Sequence, residues 1–315
     1  LLDRRGGRWF DWFSFHLGDM LCQIKILRSG VKTHLECIPC FARQALEMAR
    51  MGTEVESLQK EIARESLKII IEADFETPPP LLAQKVSSLI RRMTGIADPY
   101  AKSKRRQNRF AMELYPEMKE IVRTSRNPFE TAARLAIAGN IIDMGIYPGI
   151  DHAHAERSIR EALDAPILAE TLQSFHDAVQ SASSILYLAD NCGEIVLDRL
   201  LVEELPREKV TFAVRGGPIL NDATLEDAIE TGITEIVVVI DNGDDAPGTW
   251  LPQCSDEFRR RFESADVIIS KGQGNYETLD GEAGNIFFLL RAKCPVIARA
   301  VGCPLGSAVL MKNKK

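Results

Sequence analysis

The chain of 315 residues is long enough for one large domain or two medium ones around a sizeable core. A net charge of −6 argues against a general nucleic-acid binder, which needs a basic field to neutralise phosphates, and a solvated helix face accounts for the one basic run, SKRRQNR at 103–109. No run reaches the ~18 apolar residues that span a bilayer, and seven cysteines, an odd number without a secretory signal, point to a reducing, cytoplasmic setting rather than a disulfide scaffold.

Residues 1–31 include RWFDWFSFHLGDMLCQIKIL, which is aromatic but broken by charges and lacks the apolar segment of a signal peptide. An extension outside the main fold is expected, with Met20 a plausible natural start. From 32 to 180 the pattern is helical, with apolar residues three or four apart over 41–51, 55–74, 79–95, 109–125, 128–145, 156–165 and 167–182. Pro78-Pro79-Pro80, Asp98-Pro99, Asn127-Pro128 and Pro148-Gly149 punctuate it.

Near 181 the texture changes. Short apolar runs at 184–189, 209–214, 235–240, 266–270 and 294–301 read as strands. Helical segments at 195–205, 225–232, 254–265 and 281–293 alternate with them. This alternation predicts an α/β portion over 181–315, with a mostly parallel sheet between two helical layers, packed against the helical portion.

In open α/β sheets, ligands bind beyond the carboxyl ends of the strands. The first run ends in Asp190-Asn191-Cys192-Gly193-Glu194, the second in Arg215-Gly216-Gly217 with Asn221-Asp222 following, and the fourth in Lys271-Gly272-Gln273-Gly274-Asn275. Paired carboxylate and amide oxygens suit a hard cation. The helix after Gly193 is expected to aim free amides at an anion, and a purely capping role for Asp190 and Asn191 is the alternative. Lys271, Arg215 and the backbone at Gly272 and Gly274, with Asn275 beside them, are candidate phosphate contacts.

Together with ECIPCFARQALEMAR (36–50), DPYAKSKRRQNRFAMELYP (98–116) and AIAGNIIDMG (136–145), these motifs resemble the metal-dependent damage-control phosphatase family over roughly 32–311. The Cys-x-x-Cys near the amino terminus matches its prokaryotic branch. The resemblance implies a helical portion joined to a three-layer α/β/α portion. It implies hydrolysis of small phosphometabolites, especially sugar phosphates, with a divalent metal cation (Mg, Mn, Co or Ni). It places the cation on Asp190, Asn191 and Asp222 and a phosphate contact on Lys271, with Asn140 and Asp143 facing the cleft. One branch of the family has been proposed to methylate protein carboxyl groups.

In the expected reaction Glu194 or Asp222 orients an attacking water, or Asp190 itself attacks phosphorus. Arg215 either holds phosphate or braces Asp222. The expected partner is a small phosphorylated metabolite, with neither nucleic acid nor membrane involved. Two rivals are an S-adenosylmethionine-dependent methyltransferase and a non-catalytic phosphometabolite sensor; metal-dependent turnover separates both from a phosphatase. Cys37 and Cys40 are half a zinc site, with His34 a third ligand, or a redox pair, or simply helix-start packing. His152 and His154, two apart, cannot share a helix face.

Overall fold

The computed structural model describes residues 31–139, 159–161, 163–167 and 169–314. Residues 1–30 of the expected amino-terminal extension, Asn140, Asp143, His152 and His154 lie outside these residues, whereas Val31, expected in the extension, is buried in the fold and donates its amide to the Glu277 carbonyl at 2.7 Å. The described chain is an α/β fold whose amino-terminal part is helical.

Three helices come first: α1 (Cys37–Gly52), α2 (Glu56–Ile71) and α3 (Pro79–Thr94). Their apolar stripes meet in one core of Phe41, Met48, Ile62, Ile70, Leu82, Val86 and Ile90. Proline opens α3, where a missing amide costs nothing, and Gly95 closes it with φ 70°. Next come α4 (Ala101–Thr124) and α5 (Pro128–Ala138). Asn127 caps α5 by accepting the Glu130 amide at 3.2 Å. Helix α4 starts eight residues earlier than the periodicity suggests, so SKRRQNR lies wholly inside it.

After α6 (Ala169–Ser181), a six-stranded sheet alternates with helices: β1 (Ile185–Leu188), α7 (Glu194–Glu203), β2 (Val210–Val214), α8 (Leu225–Glu230), β3 (Val238–Asp241), α9 (Asp256–Ser264), β4 (Val267–Lys271), α10 (Gly272–Leu279), β5 (Ile286–Arg291), α11 (Pro295–Val301) and β6 (Ala308–Lys312). The order is β3-β2-β1-β4-β5-β6. Strands β1 to β5 are parallel, and β6 closes the edge antiparallel to β5. The chain winds outward in both directions from β1 and β4, so their carboxyl ends flank the topological switch point.

Side chains alternate across the sheet with period two. Tyr187, Phe212, Ile269 and Phe287 face one core, shared with Phe129, Leu135, Leu197 and Leu201 of α5 and α7. Leu186, Ile268, Phe288 and Leu290 face the other, with Phe258, Tyr276 and Ile297 of α9, α10 and α11. The helices α1 to α3 dock on this body through Gln84, which donates to Asp244 at 2.9 Å and to Asp245 at 2.6 Å, and through Arg91, which bonds Asp245 and the Pro218 carbonyl.

Two expected elements are exchanged. The run at 294–301 is helix α11 rather than a strand, and the segment at 281–293 contains strand β5 rather than a helix. Pro295 at the helix start and Gly302 just past its end (φ 81°) are the local signals for α11. Five of the six residues of IFFLLR are buried, as a central strand covered on both faces requires. Strand β3 starts three residues later than expected, because a 3-10 turn takes Ile233–Glu235.

Candidate active site at the sheet switch point

Asp190 and Asn191 leave the carboxyl end of β1, and Asp222 follows β2. The two loops are zipped together. Asn191 and Asp222 form an isolated antiparallel bridge, the Asp190 carbonyl accepts the Ala223 amide at 2.8 Å, and the Asn221 carbonyl accepts the Cys192 amide at 2.8 Å. From the other side of the switch point comes Gly272, with φ 79°. A Cβ there would lie 1.9 Å from Asp190 Oδ2, so only glycine leaves room for the carboxylate.

The acidic groups are buried and close. Asn191 Nδ2 donates to Asp190 Oδ2 at 3.0 Å and to Glu194 Oε2 at 3.2 Å. The amide hydrogens are thus committed to carboxylates, and its carbonyl oxygen is the atom left to bind a cation. Arg215 braces Asp222, donating from Nε to Oδ2 at 2.7 Å. Its Nη2 stands 3.7 Å from Asp190 Oδ1 and is buried without a hydrogen-bond partner. Burial, then Glu194 and Asp222, push the Asp190 carboxyl well above the usual carboxylate range, against the opposing pull of Arg215.

Lys271 sits differently from the expectation. It is fully enclosed, and its ammonium donates to Glu194 Oε1 at 2.7 Å, to the Ala136 carbonyl at 2.8 Å and to Asp198 Oδ1. The alternation along β4 sends it under α7 together with Val267 and Ile269. It holds Glu194 from below instead of reaching a ligand in the crevice. The two carboxylates hold its charge, raising its pKa, while burial pushes Asp198 up to about 7. Asn275 is likewise a pin. Its amide donates to the carbonyls of Ala189 at 3.0 Å and Lys271 at 2.8 Å, and its oxygen accepts from Arg215 Nη1 at 3.0 Å and Thr249 Oγ1 at 2.8 Å.

The amino end of α7 is not an open anion cradle. The amides of Cys192, Gly193, Glu194, Ile195 and Val196 all have partners within the protein. The helix amino end at the crevice is that of α10, where Gly272 abuts Asp190 and no side chain caps the first turn. Gly274 serves packing, because a Cβ there would lie 2.1 Å from the Pro247 carbonyl.

Four residues escaped the sequence reading: Asn108, Gln107, Lys104 and Lys293. Asn108, on α4, accepts the Gly193 amide at 2.7 Å and donates to Asp227 Oδ1 at 2.9 Å and Glu230 Oε2 at 2.8 Å. Its neighbour Gln107 accepts from Cys192 Sγ at 2.9 Å. The buried half of SKRRQNR therefore clamps the Asp190–Glu194 turn, and Lys104 anchors the clamp by pairing with Asp227 at 2.6 Å. Lys293, just past β5, is exposed and close enough for its charge to lower the Asp190 pKa. Placing the segment in a helix hid it, since its signal was the end of a buried apolar strand.

Four buried carboxylates, Asp190, Glu194, Asp198 and Asp222, face two buried cations, Arg215 and Lys271. That excess of negative charge, the mutual repulsion that raises Asp190 and the glycine-made cradle beside its oxygen fit a divalent cation. Among the described residues no group of three or more His, Cys, Asp and Glu side chains is arranged to hold a metal by itself. Cys37 and Cys40 open α1. Cys37 is half-buried between two cores, burial pushes its thiol up, and the group beside it is the His34 amide, at 3.4 Å, rather than the imidazole.

The chain is similar to known proteins over most of its length. The chain is 37% identical over 280 residues to a damage-control phosphatase of Archaeoglobus fulgidus, covering 87% of this chain and 96% of that protein. It is 34% identical over 289 residues to damage-control phosphatase PH1575 of Pyrococcus horikoshii, covering 90% and 99%. The crystal structure of that DUF89 family protein superposes with a TM-score of 0.82 at 32% identity, over 90% of this chain and 100% of the other. Among the described residues no helix is long and apolar enough to cross a membrane. The model of the damage-control phosphatase ARMT1-like domain matches residues 33–309, and the chain belongs to that family.

Proposed function

We propose that the protein is a divalent-cation-dependent phosphatase that hydrolyses monoesters of small phosphorylated metabolites such as sugar phosphates. The observation that carries this reading is the convergence of Asp190, Asn191 and Asp222 at the switch point, beside the amino end of α10. The relatives named damage-control phosphatases supply the reaction class.

Asp190, Asn191 and Asp222 would hold Mg²⁺, Mn²⁺, Co²⁺ or Ni²⁺. The cation supplies charge neutralisation on the phosphoryl group and a more acidic water. Glu194 and Lys271 fix the Asn191 amide so that its oxygen faces the donor set. Arg215 fixes Asp222 and adds positive charge behind Asp190. The α10 amides and Lys293 face the charge that develops on the phosphoryl oxygens, and this rigid array needs little rearrangement during transfer. Glu194, with one oxygen on Asn191 and the other on Lys271, is a positioning group rather than the base. Asp190 and Asp222 are the carboxylates that remain to orient an attacking water.

The test is phosphate release from p-nitrophenyl phosphate and a sugar-phosphate panel after chelation, then with each cation restored. Activity that returns with a cation in the wild type but not in Asp190→Asn supports the reading. Turnover unaffected by chelation refutes it.

A further inference from the structure

A groove of about 600 Å³ runs between α1, α4 and the loop after β2. Its lining includes Gln107 and Asn221, which hold the Cys192 thiol and the Cys192 amide and so link the groove to the turn that carries Asp190 and Asn191. Two arginines line it from different helices, Arg43 of α1 and Arg106 of α4. Both are exposed, and neither forms an ion pair with a described residue; the one polar contact of Arg43 is 3.9 Å from Cys40 Sγ. Lys104 and Lys119 of α4, by contrast, are paired with Asp227 and Glu203. One carboxylate, Glu47, shares the groove with the arginines.

Resting on the phosphatase reading, we propose that this groove is the specificity subsite and selects phosphometabolites that carry a second anionic group, a phosphate or carboxylate, remote from the phosphate being removed. Two guanidinium forks from different helices match two or three oxygens of such a group. Ser103, Gln44 and Tyr100 also line the groove and suit the hydroxyls and faces of a polyol or sugar. The cation and the α10 amides engage the reacting phosphoryl group at one end, and the arginines hold the far anion at the other. Glu47 works against small, singly charged anions by offsetting part of the arginine charge, so the subsite favours ligands long enough to be gripped at both ends.

The experiment compares a sugar monophosphate, the bisphosphate of the same sugar and its phosphorylated sugar acid as substrates of the cation-restored protein. The wild type, Arg43→Gln and Arg106→Gln are assayed at low and high salt. Binding of the bisphosphate to Asp190→Asn and to Asp190→Asn/Arg106→Gln is measured by calorimetry. The wild type should prefer both doubly anionic substrates in kcat/KM by about tenfold. Each arginine variant should lose that preference through KM, with kcat and the monophosphate rate unchanged, and high salt should have the same effect. Equal rates for all three substrates, or arginine variants that lower monophosphate turnover equally, would overturn the subsite. Arginine-dependent binding without turnover under any cation would retain the subsite and defeat the phosphatase reading. Absence of both turnover and binding would defeat the two together.

Discussion

Asn108 on α4 accepts the Gly193 amide at 2.7 Å, which ties the helical part to the turn that carries Asp190 and Glu194. The same side chain donates to two carboxylates, Asp227 and Glu230. Asn108→Leu would leave a buried amide and a buried carboxylate without their partner, at about 1–3 kcal/mol each way. Urea denaturation should show that loss, and kcat should fall together with it because the turn loses its register. A variant with native stability and native kcat would remove Asn108 from the site.

Lys271 gives the largest expected stability effect. Its ammonium compensates Glu194 and Asp198, which are nearly or fully buried. Lys271→Met leaves two buried carboxylates uncompensated, with an expected loss of about 3–5 kcal/mol. Adding Asp198→Asn should recover part of it. If Lys271 were instead a surface phosphate ligand, the methionine variant would unfold at the wild-type midpoint and only KM would rise.

Gly272→Ala is expected to inactivate without unfolding. The added methyl would overlap Asp190 Oδ2, and the backbone there has φ 79°. Displacing a reacting group by an ångström costs about 10²-fold in rate. A left-handed alanine adds about 1–2 kcal/mol of strain. Steady-state kinetics with circular dichroism checks this, and activity within threefold of wild type would contradict the cradle.

Glu277 should make stability depend on pH. It is buried on α10 with Gln273 as its hydrogen-bond partner at 2.9 Å, and burial pushes its carboxyl up to about 7. The folded protein keeps the proton where the unfolded chain, with an ordinary carboxyl, has released it. Stability from this group is therefore complete below about pH 4.5 and is lost as pH rises through about 7. Glu277→Gln should match wild type in acid and exceed it above pH 7, by on the order of 3 kcal/mol at most. Thermal unfolding across pH 4 to 9 measures it. A difference that stays constant with pH would contradict the assignment.

Much of this architecture was readable from residue patterns. Short apolar runs alternating with 3.6-period segments gave the parallel sheet, and the polar residues after the first two strands gave Asp190, Asn191 and Asp222. Chain order could not tell which way a side chain turns at a strand end. Lys271 follows an apolar run and reads as a ligand contact, yet the period of two carries it beneath α7. Short apolar segments also fit either element, which is how β5 and α11 were exchanged and how Lys293 was missed. Asn108 was hidden for another reason: its partner Gly193 is 85 residues away, and a hydrogen bond across that separation leaves no local pattern.

The most direct test of the central claim is phosphate release from a sugar phosphate by the chelated protein, titrated with Mn²⁺, for the wild type, Asp222→Asn and Asp190→Asn. The account predicts no release before Mn²⁺ and saturable activation of the wild type. It predicts a higher Mn²⁺ requirement, at least tenfold, for Asp222→Asn and no activation of Asp190→Asn. Release by the chelated wild type, or identical titration curves for all three proteins, would contradict it.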